Sequence, residues 1–333
     1  RSKEYGVNFT DLDVCDFNLR VSDIVVVNDS VNLSIDSLSL RERCGLRIEN
    51  LTTPRFTISG TGMHFERLRV RTPESDARLT YLYFDYPTWK SYGDFLHRVD
   101  IRAEFSRSQV DFRTIAYFAQ GLRDWHSVLR DASGTVSGPV AAMRGSIGEV
   151  TLRDTKLGLR FAIDGLPDVK RTRFVFDVTS LETNAADVEY ILQDIARTSL
   201  GEKLPMFERA GRIGFSGRFD GLLSDFTASG DLETDLGRAA VRFNVKPSEQ
   251  AATAFEGSLE TVDFETGRLL GSRKIGRVSL GADVTGVFGQ TFGMQARARI
   301  PKLEFNGYAY GDLALDGKFE NRKFTGNIAS ADP

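Results

Sequence analysis

Alternation of apolar and polar residues with a period of two runs through most of this sequence and constrains its fold more than any other feature. Val99, Ile101, Ala103 and Phe105 are apolar, while Asp100, Arg102, Glu104 and Ser106 between them are polar. Leu157, Leu159, Phe161 and Ile163 repeat the pattern, as do Phe174, Phe176 and Val178. The spacing returns at Ile213 and Phe215, at Val241, Phe243 and Val245, and at Val278, Leu280, Ala282 and Val284. Successive side chains of a strand point to opposite faces, so each run carries one apolar side and one wet side. This pattern belongs to antiparallel sheet with a solvated face and excludes a doubly wound parallel sheet, whose strands are covered on both faces. The expected fold is mainly β.

Turn residues punctuate the strands at Asn28-Asp29-Ser30, Ser59-Gly60-Thr61-Gly62, Asp164-Gly165, Asp220-Gly221 and Asn306-Gly307. Further glycines, such as Gly217, Gly257, Gly286 and Gly317, fall inside strand patterns, where they allow bends and close backbone approach. Three stretches switch to helical spacing. Trp89, Tyr92, Phe95 and Leu96 follow Pro87; Ile115, Phe118, Ala119 and Leu122 end near Gly121. Val188, Ile191, Leu192 and Ile195 form the third, with Asp187 as candidate cap and Gly201 as stop. Each is expected to brace one face of the sheet. A seam between 201 and 211 suggests two parts, 1–204 with the helices and 205–333 purely β.

Composition excludes several functions. The 43 Lys plus Arg are balanced by 46 Asp plus Glu, so no basic stripe exists for nucleic acid, and no nucleic-acid partner is expected. Cys15 and Cys44 fall in phase with apolar neighbours and read as small buried hydrophobes rather than a bridged pair. No apolar run reaches the roughly 18–20 residues that a membrane-spanning helix needs. His64, His97 and His126 lack metal-ligand spacing, and Asp11, Asp13 and Asp16 lack the glycine turn and distal Glu of a calcium loop. With no nucleotide-binding or nucleophile motif either, we expect neither an enzyme nor a cofactor.

What remains is the apolar side of the sheet, rich in Phe (24, against nine Tyr and two Trp). Pattern alone leaves two readings: a sandwich or barrel core that fills itself, or an open, folded-over sheet lined by a continuous apolar groove. The residues expected to line such a groove are Val99, Ile101 and Phe105, then Leu159 and Phe161, then Phe174 and Phe176. Further along they are Ile213 and Phe215, Phe243 and Val245, Leu280 and Val284, and Phe305.

The last third carries a resemblance. Phe264-Glu265-Thr266-Gly267-Arg268-Leu269-Leu270-Gly271, with Ile275-Gly276-Arg277-Val278-Ser279-Leu280, resembles a recurring block of the TamB family, AsmA-like translocation and assembly proteins, in its Bacteroidetes branch. So do Leu303-Glu304-Phe305-Asn306-Gly307-Tyr308-Ala309-Tyr310 and Leu313-Ala314-Leu315-Asp316-Gly317-Lys318-Phe319. The resemblance implies an elongated, twisted antiparallel sheet folded into a U-shaped groove, the β-taco. It also implies a bridge-like conduit for phospholipid acyl chains between inner and outer membranes, supporting outer-membrane biogenesis. On that reading the chain is an internal periplasmic fragment of a longer protein. An N-terminal anchor would hold the parent in the inner membrane, and regions outside the fragment would engage a BamA/TamA-type outer-membrane barrel. The alternative is a scaffold that assists outer-membrane barrel assembly by strand addition.

Overall fold

The computed structural model describes residues 6–7, 13–118, 122–195, 197, 199–247, 252–288, 293–320 and 323–330. Over these the protein is mainly β, 67% strand with a few short helices, so antiparallel sheet governs its architecture as the alternation requires. Its contacts divide it into two compact units, Arg1–Pro167 with Ile191–Thr198, and Asp168–Tyr190 with Ser199–Pro333.

The first unit is a meander of nine strands: β1 (Val14–Val27), β2 (Ser30–Glu42), β3 (Arg47–Ile58), β4 (Gly62–Arg71), β5 (Asp76–Asp85), β6 (Asp100–Asp111), β7 (Val128–Gly138), β8 (Ala142–Leu152) and β9 (Thr155–Asp164). Each pairs with the next in sequence, and among the described residues β1 and β9 do not pair with each other, so the sheet is open. A 3-10 turn at Trp89–Asp94 leads into α1 (Phe95–Arg98), and α2 (Phe112–Ala116) follows β6. The Asp111 carboxylate caps α2 by accepting from the Arg113 backbone N–H. Gly121, the expected end of that helical stretch, lies outside the described residues, as does Asp11.

The second unit repeats the plan with β10 (Arg173–Thr183), β11 (Ile213–Leu222), β12 (Asp225–Thr234), β13 (Gly237–Lys246), β14 (Thr253–Phe264), β15 (Ile275–Phe288), β16 (Gly293–Phe305), β17 (Tyr308–Glu320) and β18 (Lys323–Ser330). α3 (Ala185–Asp194) and α4 (Leu204–Ala210) lie between β10 and β11, and α5 (Thr266–Leu270) between β14 and β15. Gly271 closes α5 in the left-handed conformation, φ 68°, where its amide reaches back to helix carbonyls.

Several expectations are revised. The contact division falls at 167/168, with Ile191–Thr198 grouped with the first unit, and β10 is hydrogen-bonded to β11 across the helical interruption. Asp220-Gly221 is no turn: it lies inside β11, and the reversal is at Leu223-Ser224. α3 is capped by Asn184, whose Oδ1 accepts from the Asp187 N–H, while Asp187 itself is buried in the first turn. Gly201 opens a 3-10 turn instead of ending the helix. Both cysteines are free: Cys15 is exposed because the apolar side of β1 is uncovered, and Cys44, in the turn between β2 and β3, is half-buried.

Bulges interrupt the first sheet in most of its pairings, whereas β11 through β14 pair without a slip. Arg107 and Asp131 carry left-handed backbone (φ 43° and 52°) at such bulges, which bend a strand and re-aim side chains. One buried polar knot anchors the loop before β7. The Asp194 carboxylate accepts from the backbone N–H groups of His126 and Ser127 at 3.0 Å each, and from the Ser127 hydroxyl. Burial acts to raise this carboxyl, but those hydrogen bonds outweigh it and hold it below the ordinary range.

Candidate functional site

Directly paired residues of an antiparallel sheet share a face, so the registers trace rows across each sheet. In the first unit one row runs Leu33, Phe56, Phe65, Leu82, Ala103, Val136, Gly145 and Phe161, crossing β2 to β9 without a charge. A neighbouring row holds Ile58, Met63, Phe84 and Ile101, and another joins Gly134, Ile147 and Leu159. In the second unit Phe176, Phe219, Ala228, Phe243, Gly257, Val284, Ala296 and Gly317 form the corresponding row. Beside it Phe174, Gly221, Phe226, Val245, Phe255, Gly286 and Met294 form the next.

Neither face is a filled core. Among the described phenylalanines only Phe264, at 6% exposure, is fully buried, and the other row aromatics keep partial contact with solvent. The fully buried apolar residues are mainly small or aliphatic, such as Ala103, Ala132, Val150 and Val278. Rings instead pack sideways along the sheet, with centroids 4.6 Å apart for Phe56 and Phe65 and also for Phe219 and Phe226.

The in-strand glycines are part of this surface. A Cβ at 145 would fall 2.5 Å from the Phe161 ring, one at 257 would fall 2.6 Å from Phe243, and one at 286 would fall 2.9 Å from Phe255. At each of these glycines a Cβ would also meet a cross-strand carbonyl oxygen, that of Thr135, Arg242 or Gly293, so backbone and ring both approach closely. The expectation that these glycines allow close approach holds, but the neighbour's ring occupies the space.

Of the expected groove residues, Ile101, Phe105, Leu159 and Phe161 lie on the apolar face of the first unit. Phe174, Phe176, Phe215, Phe243, Val245 and Val284 lie on that of the second, together with Ile213, Leu280 and Phe305. Val99 does not belong with them: it is 0% exposed where α1 runs into β6, so it offers no surface to a ligand. The alternation missed Leu33 and Phe56 because register shifts between Leu33 and Leu40 break the period in β2 and β3, and it also missed Phe65 and Leu82, which pair with each other in an unshifted ladder. The first helical stretch braces the sheet: Phe95 packs on Phe84 of the apolar face, and Tyr92 bridges Phe95 to Tyr86 and Trp89. Burial, together with neighbouring Tyr92, pushes the Tyr86 hydroxyl up to about 12.

At the far end of the second sheet, Leu303, Phe305, Tyr308, Tyr310, Leu313 and Ile328 line an open hollow of about 570 Å³. Phe305 and Tyr308 pair directly and are 37% and 53% exposed, which leaves aromatic surface free for contact.

The opposite faces are ionic. His64 Nε2 lies 2.8 Å from the Asp85 carboxylate, which also accepts from Arg102. Burial acts to raise Asp85, but His64 and Arg102 prevail and hold it low. Arg173 and Arg218 likewise depress Asp220 across β10 and β11. His97 pairs with Asp94 and His126 with Asp194, so all three histidines have carboxylate partners. Among the described residues no group of three or more His, Cys, Asp or Glu is placed to hold a metal ion. Asp76, Asp85 and Asp220 are tied into ion pairs on the wet side, while Asp194 and Glu42 are held low against their burial by hydrogen bonds from Ser127 and His126 and from Cys44 and Asp13. The apolar faces offer contact with hydrocarbon. No family model, curated protein or solved structure matches this chain.

Proposed function

We propose that the apolar faces carry the acyl chains of phospholipid, as in the bridge-like conduits of the TamB family that the sequence of the last third resembles. The observation that supports this reading is the partial exposure of aromatic rows that cross strand after strand without a charge. A soluble protein rarely leaves so large a contiguous apolar surface uncovered unless something binds there. Each methylene removed from water contributes about 0.8 kcal/mol, so a diacyl lipid with roughly thirty methylenes gains on the order of 20 kcal/mol from full shelter. Lipid held on an open face keeps its polar head in water, so the protein supplies binding and direction comes from elsewhere. Passage between inner and outer membranes in the periplasm, with an inner-membrane anchor and an outer-membrane barrel at the ends of a longer parent, belongs to the same proposal.

The test is native mass spectrometry of the purified chain, followed by lipid extraction. The expected result is phospholipid bound to the folded protein; a lipid-free chain that takes up none from vesicles overturns the reading.

A second reading, strand addition to nascent barrel proteins, has one observation in its favour. Edge strand β1 is long and leaves Phe17, Ile24, Val25 and Val26 more than half exposed. Crosslinking from β1 to client strands, unaffected by charges placed on the apolar face, would favour it.

A further inference from the structure

On the wet face of the first unit, bulged ends of β4 to β7 surround a hollow of about 540 Å³. Five arginines line it, Arg69, Arg71, Arg78, Arg107 and Arg130, against three carboxylates, Glu74, Asp76 and Asp131. The arginines fall into two classes. Arg69 and Arg78 are committed to Asp76: Arg69 grips it with Nε and a terminal nitrogen, both at 2.8 Å, and Arg78 adds a contact at 3.1 Å. The Arg69 hydrogen bond leads in holding the Asp76 carboxyl down to about 2, so this triad is a fixed ionic wall. The side chains of Arg71, Arg107 and Arg130 have no ion-pair or hydrogen-bond partner among the described residues.

The clustering comes from the fold. Arg107 is the bulge residue of β6, with φ 43°, and Asp131 that of β7, with φ 52°. Regular pleating would pair like with like along these strands, whereas a bulge re-aims a side chain away from its ladder position. Holding like-charged guanidiniums together is unfavourable without a counter-anion, and planar guanidinium forks match the oxygens of phosphate bidentately.

We propose that this hollow binds a phosphate-bearing anion, with Arg71, Arg107 and Arg130 as its ligands and the Asp76 triad as the wall behind them. The site lies on the face opposite the apolar rows, so it is independent of acyl-chain binding and stands whether or not that reading does. The phosphate can belong to a soluble molecule or to the headgroup of a lipid in a membrane surface.

Two probes separate the sources: inorganic phosphate, followed by calorimetric titration, and phosphatidylcholine vesicles with or without phosphatidic acid, followed by co-sedimentation. The expected result is binding to at least one probe that weakens about tenfold or more in Arg107→Gln and in Arg71→Gln, as loss of a charge-assisted contact requires. Arg160→Gln, which removes an exposed charge from the same face outside the hollow, leaves it unchanged. Binding of inorganic phosphate assigns a soluble ligand, and binding of acidic vesicles alone assigns a headgroup. No binding of either probe overturns the proposal, and so does equal weakening by Arg160→Gln, which would mark a diffuse charge effect.

Discussion

Phe243 on β13 directly faces Gly257 on β14, and its ring Cδ1 lies 2.6 Å from where a methyl group at 257 would stand. That position would also crowd the carbonyl oxygen of Arg242. Gly257→Ala is therefore expected to destabilise the second unit by about 1–3 kcal/mol, the usual cost of overpacking. Urea denaturation gives the value, and repeating it in a Phe243→Ala background should yield a smaller loss. Equal losses in both backgrounds would show that the ring is not the obstacle.

A charge on the apolar rows should act on lipid rather than on folding. Phe176→Glu and Phe243→Asp place a carboxylate where acyl chains would lie, and are expected to lower bound lipid per chain about tenfold or more. Phe243→Leu keeps the surface apolar and retains lipid, and Arg242→Glu on the opposite face leaves it unaltered. Mass spectrometric counting of lipid per folded chain distinguishes these outcomes.

Asp194 ties α3 to the loop before β7. Asp194→Ala leaves the buried Ser127 donors without their acceptor, at an expected cost of about 1–3 kcal/mol. Hydrogen exchange should report it as lost protection at Ser127 before any change in β13.

Acid should test the Asp76 wall. Its carboxyl is lowered in the folded state from 3.8 to about 2, chiefly by Arg69. The stabilisation is thus complete above the unfolded value and is lost as pH falls from about 4 through about 2. Asp76→Asn should remove that part of the acid sensitivity, read as a flatter melting temperature across the interval.

Thiol accessibility separates the cysteines. Cys15 is exposed, while Cys44 is half-buried and its thiol is pushed up by burial and by Glu42. Cys15 should take up maleimide first, with Cys44 about tenfold slower at neutral pH. Peptide mapping after short exposures measures both.

Alternation at Ile101 and Phe105 or at Phe243 and Val245 was enough to read strands and their apolar side, because a period of two is a local property. Bulges are not: Thr53 and Arg107 look ordinary in sequence, yet the pairing shifts beside them and so concealed Phe56 and the arginine hollow. The turn expected at Asp220-Gly221 failed because Gly221 serves instead as a small facing residue between Phe174 and Phe226. The pairing of β10 with strands beyond three helical turns, and the knot on Asp194, depend on contacts distant in sequence.

Pairing of the strands with their sequence neighbours alone, among the described residues, makes the sheet modular. An added hairpin would need only to match the register of one existing edge, leaving all other ladders intact, much as repeats are added to a solenoid. Length in such a protein is thereby free to drift by whole hairpins during evolution, at little penalty to the strands already in place.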